Sequence, residues 1–259
     1  MNKPIFIAGP CLAESESVIN ETASELSRIF DKLEVDFYFE ASYRKANRSS
    51  INSFSGIGDQ NALELIASAA DKFRLRTLTD IHLPEEADLA AKYVDVLQIP
   101  AFLARQTDLL TAAGKTQKTV NIKKGQFMAP EDMAKAIRKV ESTGNKSIMV
   151  TERGTSFGYH DLVVDFRGIT IMKESRYPVI YDATHSVQLP AIGEQSGGRP
   201  EFIENLALAS IAAGADGIFF ETHPDPKIAM SDSATQLPLK DVEKFIHKLH
   251  KLFTFVNNL

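Results

Sequence analysis

Side chains able to bind anions, hold a metal or move a proton recur just after short apolar runs in this sequence. Cys11 follows residues 5–10, Lys45 and Arg48 follow 36–42, and Asp80 and His82 sit at the end of 76–81. Arg105 follows 96–101, Lys123 and Lys124 close 119–124, and Glu152 with Arg153 closes 147–152. His185 follows 179–184, and Glu221 ends the run at 217–222, with Asp232 in the loop beyond. The cations Lys45, Arg48, Arg105, Lys123 and Arg153 suit phosphate and carboxylate, Arg through bidentate forks and Lys as a point charge. Cys11, His185, Glu221 and Asp232 offer a thiolate, an imidazole and two carboxylates, a mixed set suited to Fe²⁺, Zn²⁺ or Mn²⁺. Spacing alone leaves both readings open, because barrel-top charges are often only solvated and a lone Cys is often an inert buried residue.

The elements that would position these residues alternate along the whole chain. Eight runs rich in β-branched and aromatic residues lack strict polar alternation, as parallel strands covered on both faces do. Between them lie segments with helical spacing, such as Val18, Ile19, Ala23, Leu26, Phe30 and Leu33, or Leu63, Ile66, Ala69 and Phe73. Pro84-Glu85-Glu86 and Pro130-Glu131-Asp132 place Pro and acids in a first turn, where the missing amide and the helix dipole favour them. Val242, Phe245, Ile246, Leu249, Leu252, Phe253 and Val256 form one apolar stripe, so a last helix is expected to pack on the sheet.

This pattern predicts an α/β fold, a single (β/α)₈ TIM barrel over residues 1–259, in which catalytic groups gather at the C-terminal ends of the strands. A miscount of one strand would reopen a doubly wound sheet, but no Gly-x-Gly-x-x-Gly follows the first run. In a closed barrel the eighth strand adjoins both the first and the seventh, so Cys11, His185 and Glu221 become neighbours.

Composition narrows the function classes. Formal net charge is −5, with 44% hydrophobic and 24% charged residues, so nothing global favours nucleic acid or an anionic membrane. An anionic ligand needs a local cluster of cations. One cysteine allows no internal disulfide, and the apolar run near the N-terminus is short for a signal peptide; both point to a cytoplasmic protein.

Several motifs carry a resemblance. Lys45-Ala46-Asn47-Arg48-Ser49-Ser50, Thr79-Asp80-Ile81-His82, the run from Gln98 to Asp108, and Lys123-Lys124-Gly125-Gln126-Phe127 resemble the 3-deoxy-D-manno-octulosonate 8-phosphate synthases. So do Thr151-Glu152-Arg153-Gly154-Thr155, Asp182-Ala183-Thr184-His185-Ser186-Val187-Gln188, Glu221-Thr222-His223-Pro224-Asp225-Pro226 and Ser231-Asp232. The match runs in order over nearly the whole chain.

The resemblance implies condensation of phosphoenolpyruvate (PEP) with arabinose 5-phosphate and water. It implies that Lys45, Lys123 and Arg153 hold PEP, and that Asn47, Arg48 and Ser49 bind the sugar phosphate, with Arg105 reaching in from a neighbouring subunit of a homotetramer. Asp80, His82, Gln98 and Gln188 would complete the substrate site. Cys11, His185, Glu221 and Asp232 would bind a divalent metal, as in the metal-dependent branch; the other branch has Asn at the Cys position. Lys45, His185, Asp232 and Cys11 are the expected catalytic residues.

One departure stands out. Glu40 occupies a position where the family usually has Lys, and it is expected either to pair with Arg44 or to contact a hydroxyl of a different acceptor. That keeps a related synthase in view, one using a six-carbon acceptor such as mannose 6-phosphate to make a deaminated sialic acid 9-phosphate.

Overall fold

The computed structural model describes residues 3–48, 52–189 and 197–259. Eight parallel strands form the wall: β1 (Ile5–Gly9), β2 (Asp36–Glu40), β3 (Arg76–Asp80), β4 (Val96–Ile99), β5 (Thr119–Lys123), β6 (Ile148–Glu152), β7 (Val179–Asp182) and β8 (Gly217–His223). They pair in chain order, and β1 also pairs with β8, with Ile5 opposite Gly217 and Gly9 opposite Glu221. The sheet is therefore a closed barrel. Each strand is followed by a helix: α1 (Glu16–Phe30), α2 (Asp59–Phe73), α3 (Ala87–Ala90), α4 (Thr107–Lys115), α5 (Met133–Glu141), α6 (Arg167–Lys173), α7 (Ile203–Ala212) and α8 (Val242–Val256). The two Pro-acid segments form 3₁₀ turns, Pro84–Glu86 and Pro130–Asp132, that lead into α3 and α5.

Strand periodicity divides the apolar runs between two cores. Ile7, Leu78, Val96, Met149, Ile180 and Phe219 point inward and fill the barrel. Their neighbours, including Phe6, Phe39, Leu97, Val120, Val150 and Phe220, point outward and pack against the helices. The ring closes through aromatic contacts as well as hydrogen bonds. Phe6 of β1 meets Phe253 of α8 edge-on with ring centroids 5.8 Å apart, while Phe30 stacks on Phe37 at 4.1 Å. The expected stripe on α8 is the buried face of that helix, with Leu252 and Val256 at its edge.

One layer above the apolar filling, the inward positions turn polar: Glu40, Asp80, Gln98, Lys123, Asp182 and Glu221 all follow an inward apolar residue by two places or continue its phase. Burying so many polar groups is costly unless partners satisfy them, so this layer is where ligands are to be sought. At β1 the same layer holds Gly9, where a Cβ would lie 1.7 Å from the Glu40 carbonyl oxygen. The strands approach too closely there for any side chain. Among the described residues no helix is long and apolar enough to cross a membrane.

Candidate active site

The C-terminal ends of the strands surround a cavity of about 770 Å³. Lys45, Asn47, Arg48, Asp80, His82 and Gln98 line one part of its wall. Lys123, Arg153, Gln188, His185, Glu221 and Asp232 line the rest. Cys11 does not line the cavity: it is fully buried, with Sγ 3.4 Å from Oδ2 of Asp232, which does. Ser49 lies outside the described residues. Arg105 is exposed and does not line the cavity of its own chain.

Pleat phase separates neighbours that looked equivalent in the sequence. Lys123 points into the barrel and Lys124 out of it. Lys124 is 1% exposed, lies 3.3 Å from Glu152 Oε1, and donates to the carbonyl of Gly154 and the hydroxyl of Thr155. Lys124 and Glu152 thus brace the wall behind the site, whereas Lys123 and Arg153 face the cavity. Arg44 also departs from expectation. Its guanidinium lines the cavity but pairs with Glu86 and Asp59 and not with Glu40.

One side of the cavity is cationic. Lys123 Nζ lies 2.7 Å from Asp182 Oδ2 and 3.6 Å from the centroid of the Phe219 ring, which fixes its ammonium. Arg153 donates from Nη2 to Gln188 Oε1 at 3.1 Å, and its Nη1 is buried without a partner. Burial lowers the pKa of Arg153, although a guanidinium stays charged at any working pH. Lys45 donates to Ser42 Oγ at 2.8 Å. Burial pulls its pKa down, but Cys11, Glu221, Asp80 and Asp232 outweigh that and hold it well above the ordinary lysine value.

The opposite side collects four soft and hard donors. Single ligand atoms of Cys11, Glu221 and Asp232 lie within 4.8 Å of one another. His185 Nε2 is 3.4 Å from Glu221 Oε1 and 3.9 Å from Asp232 Oδ2. A tetrahedral shell with bonds of ~2.1 Å has ligand atoms about 3.4 Å apart, so Cys11, Glu221 and Asp232 can converge on one small divalent ion, with His185 Nε2 beside the two carboxylates. Two further observations agree. Glu221 Oε2 is buried without a partner, and Cys11 and Asp232 both hold positive φ, 55° and 44°, a strained state for residues other than glycine that is maintained where the surroundings demand it. Burial, then Glu221, raises the Cys11 thiol well above its ordinary value. A nearby cation would reverse that by favouring the thiolate.

Sequence reasoning missed the residue that joins the two sides. Asp182 is fully buried, and its Oδ2 lies 2.7 Å from Lys123 Nζ and 2.8 Å from His185 Nδ1. Its Oδ1 accepts the backbone N–H of His185 at 2.9 Å. Burial raises its pKa, but His185 and Lys123 outweigh this and hold it far below the usual carboxylate range. The spacing Asp182-x-x-His185 at a strand end was the available signal.

The loop carrying Asp232 is held from several directions. Leu237 pairs with Thr222 and brings the segment back to β8. Glu14 accepts the N–H of Met230 at 2.8 Å and lies 3.0 Å from His223 Nε2. Arg48 donates to the carbonyl of Met230 and to Ser231 Oγ, both at 3.1 Å, and so ties this loop to the segment after β2.

The profile of the DAHP synthetase I family matches residues 1–258. A protein of Koribacter versatilis named 2-dehydro-3-deoxyphosphooctonate aldolase is 52% identical over 242 residues, 92% of this chain and 87% of its own. Proteins of the same name from Trichlorobacter lovleyi and Syntrophotalea carbinolica are each 48% identical, over 96% of this chain and 92% and 90% of theirs. With a family match over nearly its full length and relatives this similar, the chain belongs to the DAHP synthetase I family.

Proposed function

We propose that the protein joins C3 of PEP to the aldehyde of arabinose 5-phosphate, with water adding at C2 and inorganic phosphate leaving, to give 3-deoxy-D-manno-octulosonate 8-phosphate. The observation that carries this reading is a single bowl with cations on one wall and a four-donor cluster on the other, in a chain whose relatives are named for the eight-carbon phosphoketo acid. The relatives' name does not favour a six-carbon acceptor. A Schiff-base aldolase needs an amine free to lose its proton, whereas Lys123 is ion-paired with Asp182. The carbon nucleophile is then the enol carbon of PEP.

In this reading Lys123, Arg153 and Lys45 hold the PEP phosphate and carboxylate and keep C3 directed at the acceptor. Asn47 and Arg48 at the rim take the acceptor phosphate, a role the resemblance extends to Ser49. Asp80, His82, Gln98 and Gln188 line the space between. Cys11, His185, Glu221 and Asp232 would hold the divalent ion, Fe²⁺, Zn²⁺ or Mn²⁺, which supplies Lewis acidity toward a carbonyl oxygen or a bound water. Exposure of Arg105, next to Phe102 at 56% exposed, supports its reaching a neighbouring subunit's site in a homotetramer. The single buried Cys11 suits a cytoplasmic enzyme.

The test is phosphate release from PEP with a panel of acceptors and added metals. Arabinose 5-phosphate is expected to be preferred over mannose 6-phosphate and erythrose 4-phosphate. Preference for another acceptor would reassign the substrate, and no release with any of them would overturn the reading. A second expectation concerns Arg153→Ala. Loss of a charge-assisted contact costs about 1.5–3 kcal/mol, so kcat/KM for PEP should fall roughly 10- to 150-fold. An unchanged value in a folded variant would remove Arg153 from the PEP site.

A further inference from the structure

Glu40 has no place in the roles assigned above. It ends β2 in the inward polar layer, is 1% exposed, lines the cavity, and its Oε2 is buried without a partner. A buried carboxylate kept for structure is normally bonded to a cation or to backbone N–H groups. Asp182 has such partners, and so does Asp80, whose Oδ2 lies 3.1 Å from His82 Nε2. Glu40 Oε2 therefore lacks the hydrogen bond that a structural role would supply, although Lys45 and Lys123 lie near enough to act on its charge.

Its position excludes two other roles. Around the barrel the cations Lys123 and Arg153 belong to the β5–β6 side, while Glu40 stands on β2, one strand from Glu221 across β1. The β1 position between them is Gly9, which has no side chain. Glu40 thus stands between Glu221 and the cations Lys45 and Lys123, both of which act on its charge, and a carboxylate is itself unsuited to holding the anionic groups of PEP. The ligand atoms of Cys11, Glu221 and Asp232 converge without it, although Glu40 lies near enough to Cys11 and Glu221 for their charges to interact. What remains is the acceptor. Asn47 and Arg48 follow Glu40 on the same connection and sit at the rim, so an aldose phosphate held by its phosphate there extends its carbon chain down toward Glu40 at the floor.

We propose that Glu40 determines acceptor specificity by hydrogen-bonding the hydroxyl next to the aldehyde carbon, so that the enzyme selects hydroxylated aldose phosphates over their 2-deoxy counterparts. This rests on the reading that PEP is condensed with an aldose phosphate in this cavity. A hydroxyl donates to the carboxylate oxygen that now lacks a partner, and an acceptor without that hydroxyl leaves it buried and unpaired, a difference that specific polar sites exploit strongly.

The experiment compares arabinose 5-phosphate with 2-deoxyribose 5-phosphate, its C2-deoxy counterpart, in the wild type, Glu40→Gln and Glu40→Met, with folding checked by circular dichroism. The ratio of kcat/KM between the two acceptors cancels their intrinsic reactivity when variants are compared. Glu40→Met is expected to lower that ratio about 10- to 100-fold, chiefly by losing arabinose 5-phosphate, with Glu40→Gln between it and the wild type and the KM for PEP moving less than about threefold. If Glu40→Met does not fold, a lowered ratio in Glu40→Gln supports the proposal and an unchanged ratio overturns it. Equal losses on both acceptors, or a large rise in the KM for PEP, would also overturn it. If the wild type releases no phosphate from PEP with either acceptor, the proposed function fails and this inference fails with it; an active wild type with an unchanged ratio in the variants defeats the inference alone.

Discussion

Exhaustive chelation is expected to abolish turnover, and Fe²⁺, Zn²⁺ or Mn²⁺ to restore it. The expectation comes from Cys11, Glu221 and Asp232, whose ligand atoms lie within 4.8 Å of one another, with His185 Nε2 3.4 Å from Glu221 and 3.9 Å from Asp232, and from Glu221 Oε2, buried without a partner. A thiolate ligand must lose its proton on binding, so affinity should fall as pH drops; burial and Glu221 deepen that dependence by raising the thiol. Cys11→Ala removes the soft ligand and leaves His185, Glu221 and Asp232, and weak binding with low activity should result. Cys11→Asn is the sharper comparison, since an amide can hydrogen-bond a substrate or water at that point, and measurable activity in chelator is expected from it. Full activity of the unaltered protein after chelation, with no metal by elemental analysis, would end the metal reading whatever the variants do.

Much of the fold was legible because strands covered on both faces leave continuous apolar runs. Seven of the eight runs begin at the residue where the strand begins, and the eighth, at Ser147, begins one residue before Ile148. The runs often extend past the strand ends, since residues such as Pro10, Ser42 and Ile81 already belong to the loops that shape the site. Closure explains why Cys11, His185 and Glu221 meet. Spacing alone did not reveal which of two adjacent polar residues faces inward, as with Lys123 and Lys124 or Glu152 and Arg153, because that depends on the phase of the pleat. Nor could it find the partners of Arg44, since Asp59 and Glu86 come from two other connections. Asp182 was overlooked for a related reason: its role lies in two contacts, one local and one spanning 59 residues of sequence, and only the local one leaves a spacing to read.

That double contact makes Asp182→Asn the second variant of large expected effect. The carboxylate oxygen Oδ2 faces both the Lys123 ammonium and His185 Nδ1, so one substitution disturbs the PEP side and the four-donor side together. An amide of the same shape keeps the packing but removes the charge that holds the ammonium. Removing one partner of a buried pair costs about 3–5 kcal/mol in general, a cost that water in the cavity can lessen because Lys123 lines it. On the other side, His185 loses the carboxylate that orients its ring, and changes of that kind lower metal affinity about 10- to 100-fold. The expected result is a higher KM for PEP together with weaker metal binding, measured in a chelator competition. Arg153→Ala should instead raise the KM for PEP and leave metal affinity nearly unchanged, since Arg153 bonds Gln188 and not a member of the donor cluster. If Asp182→Asn moves only one of the two quantities, the residue serves that side alone, and the coupling between PEP and metal through Asp182 is refuted.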